Sequence, residues 1–557
     1  MPNSNTSLIV LLPLLLLTGC TANKQTPSAV SSGFTLEKYQ QQGLTALTKK
    51  LVEQGKNYEN GSNGYPKDVA KAIDLYAQAA RQGDAEGQFE LAGNYYAGVG
   101  VTKDISKAIH LYQQSADQGY AFAQASLGYF YFKGEGVPQD NDKAFSLASE
   151  AAAQGNALGE NNMAGFYIDG IGTDKDLVKS LEWLQKAAKH GNDLAQYALG
   201  KNYSEGSLGL PKDPQLAFAW FQKAALQGHA AAQGRLGLMY YFGSPVLQDL
   251  NEAQKWLQKA ADRGDDVGQV LLGRMIIKGE GSVVKDQSKG FMLIQAAAKQ
   301  GNLYALRLMG EIYRKGIYVS KDLTQAISWY KEAAEYGDAY AQGQLAGIYH
   351  DAEDYSKALE WAQKAPAQDD ARAQTVLGLL YYYGKGVPQS DDKAVEWYQK
   401  AALQGDAVAQ TNLGVMYVRG KGGLPRSDAK GVEWYQKAAE QGQAIAQSNL
   451  ADMYFAGIGG LNQDYDKAFA LYTEAAKQGD EGAKKALAEK FKQDDKPKTQ
   501  VASSGKRPKP TPKSGVHSPK LVTFSSATAS KPHKTLSATL EMPSITLEKA
   551  GLAGPDE

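Results

Sequence analysis

A short punctuation, Gln-Gly-Asp or a close variant, recurs along the chain. Its glycine falls at Gly83, Gly119, Gly155, Gly191, Gly228, Gly264, Gly301, Gly337, Gly405, Gly442 and Gly479. Most steps are 36 or 37 residues. The long step from 337 to 405 holds two units, with Asp369 in the middle glycine slot, 32 residues after Gly337. Twelve units therefore lie between about Leu44 and Gly479. A period of about 20–50 residues means tandem supersecondary units, each unable to bury its apolar face alone, so that stacked neighbours share one continuous core.

Each unit carries two helical patterns. In the tenth, Ala373, Leu377 and Tyr381 share one face of a 3.6-residue period, and Gly384-Lys385-Gly386 ends that first helix. The second helix starts at a slot filled by Asp68, Asp104, Asp140, Asp176, Asp213, Asp249, Asp286, Asp322, Asp354, Ser390, Ser427 and Asp464. All are good N-cap residues, whose side-chain oxygens satisfy free N–H groups of the first turn. Pro214 follows Asp213 at a favoured first helical position. The expected fold is all-α, a solenoid of about twelve two-helix repeats over 37–493.

The pattern Leu413-Gly414-x-x-Tyr417-x-x-Gly420, then Trp434-Tyr435-x-Lys437-Ala438-Ala439-x-x-Gly442, resembles the Sel-1-like repeat, a relative of the tetratricopeptide repeats. The resemblance implies a right-handed superhelix and an adaptor for protein complexes. In bacterial lipoproteins of this kind it implies service to envelope assemblies, including exopolysaccharide secretion. Two units depart from the pattern. In unit nine His350-Asp351-Ala352-Glu353-Asp354 replaces the glycine loop and Pro366 falls near the end of the second helix, which predicts altered curvature near 350–370. In unit one Gln54 stands where other units place Leu or Met, which predicts a frayed cap.

Leu8 to Leu17 is an apolar run broken by Pro13, too short for the roughly 20 residues that span a bilayer. It reads as a signal-peptide core. Leu17-Thr18-Gly19-Cys20 resembles a bacterial lipobox, which implies cleavage before Cys20 and lipidation of it. Cys20 is the only cysteine, so intrachain disulfides are excluded. The leading MPNSNTS departs from signal peptides in lacking Lys or Arg. Thr21, in place of the Asp that signals inner-membrane retention, points to the outer membrane, with the protein facing the periplasm. The expected organisation is a signal peptide over 1–19, a lipidated tether over 20–36, the array over 37–493 and a tail over 494–557.

Lys+Arg and Asp+Glu both number 60, which argues against a chain-wide nucleic-acid-binding role. Lys496 to Lys534, however, holds nine basic and no acidic residues among many Pro, Ser and Thr, a composition that predicts disorder. This stretch is either a solvated linker or a contact for anionic lipid or an acidic polysaccharide. The alternating segments 536–542 and 544–548 are either plain tail or strands that pair with a partner.

Seven tryptophans share one second-helix slot with Leu75, Leu111, Leu147, Leu293 and Leu471, which marks a packing position. Arg263-Gly264-Asp265 spells an integrin-binding tripeptide but belongs to the repeat junction. No phosphate-loop, Gly-x-Ser-x-Gly, His-Glu-x-x-His or EF-hand pattern occurs, so the sequence implies no catalytic residue, no metal and no cofactor. The residue after the first-helix tyrosine slot is aromatic in five units, at Tyr96, Phe132, Tyr241, Tyr382 and Phe455, and Phe242 and Tyr383 follow two of these. These seven are the candidate partner-binding residues, the competing reading being that they pack under the following glycine loop. The expected function is a non-enzymatic envelope scaffold with protein partners and a membrane anchor. The alternatives are a surface lipoprotein that captures an external or host ligand, and an enzyme of cell-wall or β-lactam chemistry, although the paired cysteines of relatives proposed for that chemistry are missing.

Overall fold

The computed structural model describes residues 36–364, 370–491 and 520–522. Every regular element among them is an α-helix. In chain order they are α1 (Leu36–Asn60), α2 (Val69–Arg81), α3 (Ala85–Ala97), α4 (Ile105–Asp117), α5 (Ala121–Lys133), α6 (Asn141–Ala153), α7 (Ala157–Asp169), α8 (Leu177–Lys189), α9 (Asp193–Glu205), α10 (Pro214–Leu226), α11 (Ala230–Phe242), α12 (Leu250–Asp262) and α13 (Asp266–Lys278). There follow α14 (Gln287–Lys299), α15 (Leu303–Lys315), α16 (Leu323–Glu335), α17 (Ala339–Asp351), α18 (Tyr355–Lys364), α19 (Ala371–Tyr383), α20 (Asp391–Leu403), α21 (Ala407–Arg419), α22 (Asp428–Glu440), α23 (Ala444–Ala456), α24 (Tyr465–Lys477) and α25 (Glu481–Lys490). They make twelve pairs and a closing helix, the α-solenoid that the spacing predicts. Two compact units divide the chain, one ending at Leu293 and the other beginning at Ile294.

The punctuation has a backbone cause. Each junction glycine takes a positive φ, from 73° at Gly155 to 98° at Gly228, a conformation that costs other residues but not glycine. All twelve predicted caps are in place, each accepting a first-turn N–H, as Asp140 does from Lys143 at 2.9 Å and Ser390 from Lys393 at 3.3 Å. The first helices are capped at their N-termini too, by Asp84, Asn156, Asn192, His229 and Asn302 among others.

Inside each repeat the second helix sends a large ring against a small residue of the first. Tyr76, Tyr330, Tyr398 and Tyr435 are fully buried, and the Cβ that Gly55, Gly310, Gly378 or Gly414 lacks would fall on the facing ring. The tryptophan slot is indeed a packing position, with Trp183, Trp220, Trp256, Trp397 and Trp434 all in or against core clusters. A lysine three residues on covers the outer ring face in six cases, at 3.9 Å over Trp183 and 4.0 Å over Trp220.

Two expectations need correction. Helix α1 runs unbroken through Gln54 to Asn60, because buried Val52 and Gly55 carry its packing on α2 and Glu59 accepts a 2.7 Å bond from Tyr76. In the tail, Lys520–Val522 are placed against the array, because Leu521 and Val522 supply apolar surface that the overall composition conceals. Unit nine is shortened as expected: α18 has 10 residues where its counterparts have 13, and three residues with Glu353 at φ 60° replace the glycine loop. Asp369, Pro366, Cys20, the leader, the tether and the remaining tail lie outside the described residues.

Candidate functional site

The candidate aromatics reach from one repeat into the next. Tyr96 donates to Glu135 at 3.4 Å and Tyr241 to Glu280 at 2.7 Å, each acceptor lying in the loop after the following first helix. Arg419 donates to the Tyr382 hydroxyl at 2.9 Å. Phe132 packs on Phe166 with centroids 5.6 Å apart, and Phe455 on Phe491 at 5.8 Å. Tyr241 and Phe455 are buried, whereas Phe242 and Tyr383 stand 37% and 44% exposed. Five of the seven thus join neighbouring repeats, and two present open ring surface.

A second device links several repeats internally. The junction glutamine donates to a first-helix glutamine, as Gln227 does to Gln196 at 2.8 Å, Gln441 to Gln410 at 2.8 Å and Gln478 to Gln447 at 2.9 Å. The acceptor in turn donates back to the preceding second helix, as Gln196 does to the Ala188 carbonyl at 3.1 Å. Arg263 takes this role toward Gln233 at 3.0 Å, and Asp265 caps α13. Both charged ends of the Arg-Gly-Asp tripeptide are therefore occupied structurally.

The site that stands apart is on α21 and α23. Asn412 and Asn449 occupy the same helical position 37 residues apart, where some units place Val376, Leu308, Leu271 or Ala198 and others Glu90, Ser126, Arg235 or Gln344. Each is buried, and each uses both ends of its amide on the backbone of the docked tail. Asn412 donates to the Val522 carbonyl at 3.1 Å and accepts from the Val522 N–H at 2.7 Å. Asn449 donates to the Lys520 carbonyl at 3.1 Å and accepts from its N–H at 3.2 Å. One asparagine per repeat therefore meets every second residue of the segment. Asn162 holds the same position on α7 but donates to the Ala125 carbonyl of the neighbouring helix.

Side chains complete the groove. Val522 is fully buried in a cluster with Val376, Val408, Leu413 and Ile445. Leu521 packs against a different cluster, containing Val415, Tyr435 and Leu450. Gly482 on α25 leaves room for Lys520, since a Cβ there would lie 2.6 Å from its ammonium. Four hydrogen bonds at about 1 kcal/mol each and burial of one valine at about 2 kcal/mol stand against about 1.5 kcal/mol per residue to fix three residues. The balance favours docking by only about 1–2 kcal/mol.

Other buried polar groups stay within the array. Glu311 accepts from Tyr330 at 2.9 Å and Tyr340 at 2.8 Å and pairs with Arg314 and Lys315 at 3.0 and 2.9 Å. Burial would raise its carboxyl, but the two cations override that and hold it at about 2. Lys490, Asp452 and Tyr472 form a second closed network at the end of the array. Among the described residues no cluster of three metal-ligating side chains occurs, and no helix is long and apolar enough to cross a membrane.

Tandem helix pairs whose side chains grip an extended segment by its backbone define a solenoid of protein-binding repeats. The Sel1 repeat pattern matches residues 55–84, 85–120, 121–156, 157–192, 193–229, 230–265, 267–302, 303–338, 335–370, 371–406, 407–443 and 444–480. The chain belongs to the Sel1 repeat family, whose members generally mediate protein–protein interactions. Among solved structures it is similar to a protective antigen present in uropathogenic Escherichia coli strains, which displays an SLR fold. That likeness has 31% identity and a TM-score of 0.54, covering 85% of this chain and 100% of that one. A Sel1 repeat protein from Oxalobacter formigenes is 33% identical, over 60% of this chain and 88% of that one, with a TM-score of 0.32. Comparison with curated proteins gave no significant match.

Proposed function

We propose that this protein is a non-enzymatic scaffold of a bacterial envelope complex, tethered to the outer membrane by lipid on Cys20 and facing the periplasm. The groove of Asn412 and Asn449 carries the reading: it holds a protein segment through four main-chain hydrogen bonds and two apolar contacts. The lone cysteine in Leu-Thr-Gly-Cys supports the anchor. Exopolysaccharide secretion is the envelope process proposed for the complex. The basic run 496–534 would add contact with anionic lipid or acidic polysaccharide.

The test is in-cell crosslinking and pull-down of the full chain, with mass spectrometry of what is retained. Defined envelope proteins should be enriched, and Cys20→Ser should move the protein from the membrane to the soluble fraction. Enrichment of nothing beyond abundant outer-membrane proteins would sink the scaffold reading.

A second reading, capture of an external ligand at the cell surface, is favoured by the likeness to the E. coli protective antigen. Protease accessibility in intact cells separates the two, since only a surface lipoprotein is cut from outside.

A further inference from the structure

The tail segment on α21, α23 and α25 is bound as a ligand would be, not as a piece of the array. It joins no repeat, and 28 residues separate it from Phe491. Asn412 and Asn449 hydrogen-bond its main chain, so these four bonds do not depend on which side chains the segment carries. Selection falls to the two apolar contacts, which take Leu521 and Val522, and to the space over Gly482, which takes Lys520. The spacing explains why the segment is short. Two asparagines at one per repeat, meeting alternate residues, span three residues. On either side the same helical position is apolar, with Val376 on α19 and Ala486 on α25.

The site also holds a polar group that the array leaves unpaired. In three other repeats the buried tyrosine hydroxyl donates to an acid, Tyr76 to Glu59, Tyr330 to Glu311 and Tyr472 to Asp452. At the position of Glu311, α21 and α19 carry Val415 and Leu379, and the Tyr435 hydroxyl is buried without a hydrogen bond. Acid has given way to apolar surface at the clusters where Leu521 and Val522 dock. The change leaves the Tyr435 hydroxyl without an acceptor and makes a dry wall suited to aliphatic side chains.

We propose that α19–α25 form a groove for an extended, aliphatic partner peptide, read through its backbone by Asn412 and Asn449, and that Lys520–Val522 are its resident and displaceable occupant. This deepens the scaffold reading and rests on it for the existence of a partner, but the groove is tested separately. A segment on the same chain competes at an effective concentration on the order of millimolar. The tail therefore keeps the groove closed to weak ligands and yields to a peptide that binds more tightly or to a partner that draws the tail away.

The test uses the full chain and a labelled synthetic peptide with the sequence of residues 514–527, read by fluorescence anisotropy. Wild type should bind it weakly, because its own tail occupies the groove. Leu521→Asp with Val522→Asp, which releases the tail without touching a helix, should bind it at least tenfold more tightly. Adding Asn412→Ala and Asn449→Ala should remove that gain. If the asparagine variant loses helicity, Gly482→Leu serves instead and should weaken the peptide at least threefold by filling the lysine position. Hydrogen exchange supplies a second readout: the Lys520 and Val522 amides should be protected in wild type and exchange freely in the asparagine variant. Equal peptide affinity with and without the native tail segment would overturn the proposal, as would exchange of both amides at the rate of the free peptide. Failure of the envelope pull-down with success here would remove the proposed location and leave the groove standing.

Discussion

Tyr330 on α16 and Glu311 on α15 share a 2.9 Å hydrogen bond at the centre of a buried cluster that also holds Tyr340, Arg314 and Lys315. The Glu311 carboxyl sits at about 2 when folded, below the usual 4.5. A depressed carboxyl stabilises fully above its unfolded value and loses that contribution as pH falls through about 4.5 toward 2. Glu311→Gln should therefore destabilise this region by about 2–3 kcal/mol at pH 7 and much less at pH 2. The check is hydrogen exchange of α15–α17 at both pH values, since a long repeat array does not unfold as one unit.

Asp265 carries the opposite sign. Burial, with a contribution from Asp266, pushes its carboxyl up to about 7, although the Gly268 N–H and Arg235 oppose the shift. A raised carboxyl contributes stability fully below about 3.8 and loses it as pH rises through about 7. Asp265→Asn keeps the cap acceptor and removes the ionisation, and Asn already caps the equivalent helix starts at Asn156, Asn192 and Asn302. The variant should be more stable by about 1–2 kcal/mol at pH 8 and nearly neutral at pH 4. Hydrogen exchange of α11–α13 at the two pH values decides it, and equal effects at both would show that the carboxyl ionises freely in the fold.

The second-helix caps give a narrower expectation. Asp140 accepts from the Lys143 N–H at 2.9 Å from an exposed position. Asp140→Ala should cost about 1 kcal/mol, and Asp140→Ser only a small part of that, because Ser390 and Ser427 do the same work in the tenth and eleventh units. Hydrogen exchange of α5–α7 in both variants against wild type measures the difference, and an alanine variant as protected as wild type would remove the energetic meaning of the slot.

These caps were legible because one chemical requirement recurs twelve times, and so were the helix pairs and the packing role of tryptophan. The glutamine links were on view in the same repetition, but a polar residue on a helix carries no period of its own, and its partner lies 30 or 31 residues away. Asn412 and Asn449 left a fainter signal, two asparagines 37 apart in a slot that other units fill with apolar and polar side chains alike. Asn162 blunts even that, since the same residue in the same slot serves the array itself. The docked tail was hidden by averaging: Leu521 and Val522 are two apolar residues in a long basic, proline-rich stretch, and composition weighs the stretch rather than the pair.

The aromatic candidates separate into two kinds, and mutation should tell them apart. Tyr241 is buried, donates to Glu280 at 2.7 Å and lies under Arg274, whose guanidinium is 5.5 Å from its ring. Tyr241→Ala should lower stability by about 3 kcal/mol through the cavity and the stranded carboxylate, so any loss of partner capture would follow from unfolding. Phe242 and Tyr383 lie edge-to-face on Tyr241 and Tyr382, with centroids 4.9 and 5.0 Å apart, and keep open ring surface. Phe242→Ser and Tyr383→Ser should shift stability by no more than about 0.5 kcal/mol. If these rings anchor a partner, capture in the pull-down should nonetheless fall severalfold in the double variant. Unchanged capture with unchanged stability would confine the aromatic slot to joining repeats and leave the asparagine groove as the binding surface.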